Sequence, residues 1–199
     1  MKNEKEILTA IQDDIWMIEI LKAVKTLNLP DWWVCAGFVR SKVWDKLHSF
    51  SNRTALGDID VIYFDPSNLE EAAEKMLEEK LNSLMPGLPW SVKNQARMHK
   101  SNGLPPYASS ADAIAKFPET ATALGVKLDA QNELVLTAPC GIEDLLHLEV
   151  KPTEHFKTNK RLEKIYENRL EKKNWKAKWP KVKVYGMDGR LASGKEILP

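Results

Sequence analysis

The chain lacks the features that mark a secreted, disulfide-rich or membrane protein. Its 199 residues include two cysteines, Cys35 and Cys140, each among apolar neighbours. This favours two core thiols in a reducing cytoplasm, with a disulfide as the alternative. No apolar run reaches the length of a transmembrane helix, and the charged segment 1–6 is not a secretory signal. We therefore expect a cytoplasmic protein without a membrane partner.

Net charge is also nearly absent, because 29 basic residues oppose 28 acidic ones. The basic residues are concentrated, however, since residues 160–183 contain ten Lys or Arg and three Glu. One interpretation is an arm that binds a phosphate-rich partner such as RNA. The alternative is the solvated face of an ordinary helix.

Length and composition predict one soluble domain over residues 1–199, with 43% apolar and 29% charged residues. Within it we expect an N-terminal segment 1–30 with one helix over 4–27, a core over 31–150 and a basic C-terminal extension over 151–199.

The predicted elements alternate along the core. Strands are expected at 32–36, 58–65 and 90–95, and helices at 38–50 and from a capping box at 67–70 to residue 84. Later patterns predict a short helix at 111–117, a hairpin of 126–128 with 134–137, helical turns at 141–148, a basic helix at 157–173 and an edge strand at 182–185. This order favours an α/β (α+β) fold with a sheet flanked by helices and a helical and β extension at its end.

Two carboxylates stand at the start of the second strand, in the run Gly57-Asp58-Ile59-Asp60-Val61. Because strand side chains alternate between faces, Asp58 and Asp60 are expected on one face, about 6.5 Å apart. Like charges repel unless a cation lies between them, and Mg²⁺ or Mn²⁺ prefers such oxygen ligands. The pair therefore predicts a metal site for phosphoryl or nucleotidyl transfer. The alternative is two solvated acids where a loop enters a strand.

A glycine stands at the corner between the first strand and the next helix, in the run Val34-Cys-Ala-Gly37-Phe-Val-Arg40. Glycine lets the backbone approach a phosphate closely, and the helix N-terminus beyond it offers free N–H donors. Arg40, in the first turn, can add a forked, charge-assisted hydrogen bond. Gly37 and Arg40 are therefore candidate phosphate-binding residues beside the acidic strand.

These two segments resemble the polymerase-β-like nucleotidyltransferase superfamily, in which Gly-Gly or Gly-Ser ends the first strand and Asp-x-Asp lies on the second. The local form is most similar to tRNA-nucleotidyltransferases and bacterial poly(A) polymerases. A small bacterial nucleotidyltransferase-like group of about this length shares segments similar to 92–99 and 138–145. The resemblance implies a nucleotidyltransferase core with a mixed sheet, an NTP substrate, and Asp58 and Asp60 as catalytic metal ligands.

The chain departs from the superfamily pattern at three places. Phe38 stands where Gly or Ser is usual, and Ser41 stands where an Asp is usual. The acid that in the superfamily deprotonates the attacking hydroxyl is missing from the third strand. There Asn94 can bind a ligand through its oxygen but is not a base. Three later acids are alternatives in space: Glu143, Asp144 and Glu149.

Two residues in the loop expected after the third strand complete the predicted site. Arg97 is a candidate for binding the triphosphate or an acidic acceptor. His99 is a candidate general base that partly replaces the missing acid. The alternative is that both are ordinary surface groups.

The sequence thus predicts metal-dependent nucleotidyl transfer from an NTP to an unidentified hydroxyl acceptor. A small acceptor is favoured over the tRNA 3′ end, because the C-terminal part is short for the base-recognition helices of tRNA-nucleotidyltransferases. The alternative is a catalytically degenerate nucleotidyltransferase fold that binds a nucleotide or, through residues 160–183, RNA.

Overall fold

A computed structural model describes residues 1–192, apart from the side chain of Asn102. The end of the predicted basic extension, residues 193–199, lies outside the described residues. The α-helices are α1 (Glu4–Gln12), α2 (Ile15–Lys25), α3 (Gly37–Leu47), α4 (Glu71–Leu84), α5 (Gln95–Asn102), α6 (Ser110–Ile114), α7 (Glu143–Leu146), α8 (Glu154–Lys157), α9 (Glu163–Lys173) and α10 (Trp175–Lys178), with 3₁₀ turns at Thr120–Thr122 and Lys160–Leu162. The strands are β1 (Trp33–Cys35), β2 (Ile59–Tyr63), β3 (Trp90–Asn94), β4 (Gly125–Leu128), β5 (Leu134–Thr137), β6 (Glu149–Val150) and β7 (Lys183–Val184).

The main sheet is mixed and is flanked by helices, which confirms the predicted fold class. In the described chain its strand order is β3-β2-β1-β4-β5. β2 and β3 are parallel, whereas the other neighbouring strands are antiparallel. The predicted hairpin is β4 with β5. The edge strand expected at 182–185 is the two-residue β7, which pairs in parallel with β6 in a separate small sheet.

The register brings the glycine corner and the acidic strand together. β1 runs antiparallel to β2, with Val34 opposite Val61. The end of β1 therefore lies beside the start of β2, so that Gly37 and Asp58 lie next to each other at the same end of these two strands. On the other side of β2, Asp60 lies opposite Ser91 of β3.

The two faces of the sheet are covered differently. Ile59, Val61 and Tyr63 belong to the main core, which includes the N-terminal helices. Ile62 packs instead into a smaller cluster with Ile114 of α6. Because alternate residues share a face, Asp60 lies on the side of this smaller cluster, away from the main core.

The N-terminal segment contains two helices rather than the single helix predicted over 4–27. The break is at Asp13 and Asp14, where the Asp14 carboxylate caps α2 by accepting a hydrogen bond from the Met17 N–H. Lys42 and Arg53 form ion pairs with the same carboxylate. Both helices bury apolar faces in the same core, but α2 does so through Met17, Ile20, Leu21 and Val24, and Ile15 is left exposed.

Three helix boundaries also differ from the sequence prediction. The capping box at 67–70 does not cap α4, which starts at Glu71 behind Glu70 without a side-chain cap. The segment after β3 is the helix α5 and not a loop. The predicted basic helix 157–173 is divided into α8, a 3₁₀ turn and α9.

The C-terminal extension folds onto the core through α3. The Trp179 indole N–H donates to the Asp45 carboxylate at 2.8 Å. The Lys181 N–H donates to Nε2 of His48 at 3.1 Å. Trp175 and Trp179 are buried in the main core cluster. The extension is thus an integral part of the described fold. Within it and the rest of residues 1–192, no helix is long and apolar enough to cross a membrane.

Candidate active site

A strained corner joins β1 to α3. Ala36 has φ 53° and ψ −114°, a conformation that costs a residue with a side chain on the order of 1–3 kcal/mol. Two backbone hydrogen bonds hold it, because the Ala36 N–H donates to Leu124 O and the Ala36 carbonyl accepts from the Arg40 N–H, both at 3.0 Å. Such strain is typical of functional sites, where the surrounding structure compensates for it.

Gly37, the first residue of α3, is next to this corner. Its φ is not positive, and a Cβ on it would come no closer than 3.6 Å to another group, the Nη2 of Arg40. Neither the backbone conformation nor the packing therefore requires glycine. No side chain caps α3, so the first N–H groups of this 11-residue helix point at open space in front of Gly37.

Arg40 is buried in an indole cage. Its guanidinium carbon lies 5.3 Å from the ring centre of Trp44, 5.9 Å from Trp175 and 5.3 Å from Trp179. The side chain donates to the Ser41 hydroxyl at 3.3 Å, while its Nε has no partner among the described residues. Burial lowers the pKa of Arg40 to about 10, against the attraction of Glu119, Asp58 and Asp60.

Asp58 and Asp60 lie in the cleft in front of this cage. Asp60 is largely buried, and that burial together with the charge of Asp58 raises the Asp60 pKa to about 6. A hydrogen bond from Ser91 and the charges of Lys173 and Arg169 oppose the rise. The expected mutual repulsion of the two carboxylates is therefore present in the fold.

Basic residues of the C-terminal extension form the opposite wall. Arg169 and Lys173 of α9 and Lys178 of α10 line the cleft together with Trp175. Arg169 is also paired with the fully buried Glu119. Burial and the positive charges of Arg169 and Arg40 lower the pKa of Lys173, although Asp58 and Asp60 oppose this. Sequence analysis missed these residues, although the four-residue spacing of Arg169 and Lys173 on a helix was a signal that they share a face.

The cleft thus unites the predicted glycine corner, acidic pair and arginine with a basic wall. Its empty space, counted out into the open solvent, is about 560 Å³. Two carboxylates, a free helix N-terminus and several guanidinium and ammonium groups face one space. This arrangement can hold a polyphosphate and a divalent cation at once.

Comparison with known proteins agrees with this geometry. A family model described as "Nucleotidyltransferase" matches residues 22–184. This chain belongs to the nucleotidyltransferase family.

Solved structures resemble the nucleotidyltransferase over most of its length. A protein solved by NMR and described as revealing a CCA-adding enzyme head domain is 38% identical, with a TM-score of 0.85 over 94% of this chain and 97% of that one. The Thermotoga maritima CCA-adding enzyme complexed with tRNA is 17% identical, with a TM-score of 0.46 over 76% of this chain and 36% of that one. A CCA-adding enzyme in complex with ATP is 12% identical, with a TM-score of 0.44 over 89% and 48%. Among curated proteins, none matches the chain significantly.

The remaining predicted residues of the nucleotidyltransferase lie outside the cleft. Asn94 pairs with Tyr63 at the far end of β2, about 10 Å along the strand from Asp60. Its buried amide accepts from the N–H groups of Asp65 and Ala96 and donates to the carbonyls of Asp65 and Asn68. The Asn94 side chain therefore holds the backbone that follows β2 and the start of α5 in place.

Arg97 and His99 lie on α5, because the chain after β3 is helical. Arg97 forms a forked ion pair with the buried Glu74, at 2.7 Å from Nη2 and 3.2 Å from Nε. His99 packs edge-on against Tyr107, with ring centres 6.2 Å apart. The structure does not bring either residue to the acidic pair, so it supplies no geometry for their predicted roles in phosphate binding and proton transfer.

The three acids considered as replacements for the missing carboxylate also lie elsewhere. Asp144 and Glu149 both pair with Lys151. The Glu143 carboxylate accepts a hydrogen bond from the Ile142 N–H. Over the described residues, no group of three or more His, Cys, Asp or Glu is placed to hold a metal ion. The position opposite Asp60 on β3 is occupied by Ser91.

The cleft nevertheless fits one divalent ion that is shared with a substrate. Mg²⁺ is commonly held by one or two carboxylates together with substrate phosphates. Asp58 and Asp60 supply that number of oxygen donors, and burial and the charge of Asp58 raise the pKa of Asp60. The residues present therefore suit one metal ion bound together with a polyphosphate.

Proposed function

We propose that this nucleotidyltransferase transfers a nucleoside monophosphate from an NTP to a hydroxyl group of a small acceptor, with Mg²⁺ or Mn²⁺ held by Asp58 and Asp60. The observation that carries the proposal is that the acidic pair and the unpaired, buried Arg40 face the same cleft at the glycine corner. Two close carboxylates repel each other, and the buried Arg40 is attracted by Glu119, Asp58 and Asp60 without a direct ion pair among the described residues. A metal-bound triphosphate compensates both.

The other cleft residues position the triphosphate. The free N–H groups at the start of α3 and the Arg40 guanidinium are placed to bind phosphate oxygens on one side. Arg169 and Lys173 are placed to bind them on the other. When bound, the metal ion polarises phosphate oxygens and offsets the charge that develops during transfer.

In the proposed reaction, the acceptor oxygen forms a bond to the α-phosphorus of the NTP. The bond from that phosphorus to the oxygen bridging to the β-phosphate breaks, and pyrophosphate leaves with the bonding electron pair. The acceptor proton passes to solvent, because no third carboxylate of the described chain lines the cleft. Rate enhancement then comes mainly from positioning and electrostatics.

A second candidate is a nucleotide- or RNA-binding module without catalysis. The observation that favours it is Ser91, which stands where the superfamily resemblance predicts a third acid near the pair. The two candidates agree on the nucleotide site and differ in whether product forms.

Thermal unfolding with each NTP, with and without Mg²⁺, tests the shared nucleotide site. A ligand that binds only the native state at 100 times its Kd adds about 2.7 kcal/mol, which raises Tm by several degrees. We expect a Mg²⁺-dependent rise that Asp58→Asn and Asp60→Asn abolish. The exposed Asp13→Asn is the matched control. An equal rise in all four proteins would contradict the assignment of the site.

Pyrophosphate release separates the two candidates. Once nucleotide binding is established, the enzyme candidate predicts that pyrophosphate is released only when an acceptor is present. Both Asp58→Asn and Asp60→Asn should lose this release. Binding of NTP without release across a panel of hydroxyl acceptors, together with salt-dependent RNA binding, would favour the binding module.

A further inference from the structure

A second cavity lies beside α6, on the sheet face that carries Asp60. Its empty space, counted out into the open solvent, is about 710 Å³, and its lining is more apolar than that of the cleft that holds Asp58 and Asp60 (the acidic cleft). Small-molecule sites typically combine an apolar lining with few polar groups. Its lining includes the side chains of Leu104, Phe117, His155, Phe156, Leu162 and Ile165.

One face of α9 connects this cavity to the acidic cleft. Ile165 lines the cavity, whereas Arg169 and Lys173 line the cleft. Residues four apart on a helix lie above one another, so these three side chains form one stripe. The rise of the helix separates Ile165 from Arg169 by about 6 Å and from Lys173 by about 12 Å.

A second connection runs through the chain before the 3₁₀ turn at 120–122. Pro118 lines the cavity, and the adjacent Glu119 is the buried partner of Arg169 in the cleft. The cavity and the acidic cleft are therefore neighbours along α9 and again along the segment that contains Pro118 and Glu119.

His155 lines the cavity and has a buried polar atom without a partner among the described residues. Its Nε2 is buried and has no hydrogen-bond partner among the described residues, a state that costs free energy. Burial and the charge of Lys116 lower the pKa of His155, against the charge of Asp112, so the neutral ring is favoured. The ring packs edge-on against Phe156. A ligand hydroxyl suits this position, because it donates and accepts and so pairs with either neutral tautomer.

The charge of the acidic cleft points to a neutral acceptor. Its basic side chains outnumber its carboxylates by two, and Glu119 behind Arg169 reduces that surplus. An NTP with one divalent ion carries about two negative charges, which use the whole surplus. An anionic acceptor would then add uncompensated negative charge beside Asp58 and Asp60.

We propose that the second cavity binds the acceptor of the reaction, a neutral, ring-bearing molecule with a hydroxyl that pairs with His155 and another that faces the acidic cleft. This inference rests on the proposed function for its chemistry. Its ligand site is independent of catalysis and is tested without turnover.

Binding of tyrosol to the full chain, followed by NMR, is the first test. Tyrosol carries a ring, a phenolic hydroxyl and an alcohol; 2-phenylethanol lacks the phenolic hydroxyl. We expect saturable shifts at Leu104, Phe117 and Phe156, with weaker binding of 2-phenylethanol. In His155→Phe the two probes should bind equally. Ile165→Glu should weaken tyrosol binding at least tenfold, while Ile15→Glu should not change it. Both isoleucines are more than half exposed, so neither substitution disturbs the core.

Failure of both probes to shift cavity signals would overturn the proposal. So would an equal affinity of wild type and Ile165→Glu. Neither result depends on Asp58 or Asp60, and tyrosol should bind Asp58→Asn with unchanged affinity.

Paramagnetic relaxation by Mn²⁺ then tests whether the two sites adjoin. With Mn²⁺ and ATP bound, the protons of tyrosol should relax faster in wild type and not in Asp58→Asn. If Mn²⁺ fails to broaden signals of residues 57–60, the proposed function is wrong. If it broadens them but leaves bound tyrosol unaffected, the cavity is not the acceptor site.

Discussion

At the scale of single residues, the site is defined by charges that the protein itself leaves uncompensated. Arg40 cannot lose its proton under ordinary conditions. It lies among three indole rings without a carboxylate partner within ion-pair distance in the described chain. Each cation–π contact stabilises the buried guanidinium by about 0.5–2 kcal/mol. This stabilisation is smaller than the free-energy cost of removing the charge from water. Attraction to Glu119, Asp58 and Asp60 supplies part of the remaining compensation, and the proposed triphosphate supplies more.

Arg40→Met should therefore separate stability from binding. We expect the free energy of unfolding to stay within about 1 kcal/mol of wild type, because a buried charge is replaced by an apolar chain of similar length. Affinity for Mg²⁺–ATP should fall about 100-fold. Urea unfolding and calorimetric titration measure the two quantities. Lys176→Met, an exposed charge on α10, is the control, and retained ATP affinity in Arg40→Met would contradict the role of the guanidinium.

Asp60 should make the metal-free protein less stable as the pH rises. Its pKa in the fold is about 6, against a usual value of 3.8. Between these two values the folded state holds more protons than the unfolded state, so its stability falls with rising pH. The loss, about 2 kcal/mol after allowance for partial exposure, is complete above pH 6.

The measurement is the free energy of unfolding from pH 4 to pH 7 in a chelating buffer, for wild type and Asp60→Asn. The Asn variant should lack this component and be the more stable protein at pH 7. Parallel curves for the two proteins would show that the carboxylate is not destabilised by the fold.

At the scale of elements, two helices supply opposite walls of the cleft. α3 presents its uncapped N-terminus and Arg40, and α9 presents Arg169 and Lys173. α9 carries positive charge on other faces too, but Lys172 is exposed and does not line the cleft. Lys172 and Lys173 are thus adjacent lysines with different surroundings, and substitutions of the two can be compared directly.

Lys173→Gln should raise the KM for ATP about tenfold, because one phosphate-facing charge is lost, with a smaller change in kcat. Lys172→Gln should leave both parameters unchanged. Steady-state kinetics, or ATP titration followed by thermal shift, measures the difference. Equal effects of the two substitutions would show that the segment acts through its overall charge, as a solvated or RNA-binding helix would.

At the scale of the whole molecule, α3 connects the core to the C-terminal extension. Asp45 accepts from the Trp179 indole and from the backbone N–H and the hydroxyl of Thr54. The loop that delivers Asp58 and the extension that carries the basic wall are thus fixed to one carboxylate. We infer that the core and the extension unfold as one cooperative unit.

Trp179→Phe tests that inference. It removes a hydrogen bond to a buried carboxylate and leaves a gap in the main core, at a cost of about 2–3 kcal/mol. Within each protein, far-UV circular dichroism and tryptophan fluorescence should report one common midpoint, and that midpoint should be lower in the variant. Two separate transitions in either protein would show that the extension is an independent domain.

The sequence by itself specified the elements whose signals are local. The alternation around Asp58 and Asp60, the apolar run before Gly37 and the interrupted apolar runs of β4 and β5 each require only neighbouring residues, and the sheet confirms all three. The nucleotidyltransferase family was evident for the same reason, because its pattern lies in two short segments.

Tertiary structure decided what depends on residues distant in the chain. It placed Arg169 and Lys173 opposite an acidic pair more than 100 residues earlier, and it left Asn94, Arg97 and His99 with other partners. Spacing along a helix shows which residues share a face, but not what that face meets. Burial of Trp175 and Trp179 against α3 determines that the basic residues of the extension face the acidic pair. The local sequence pattern does not encode this contact.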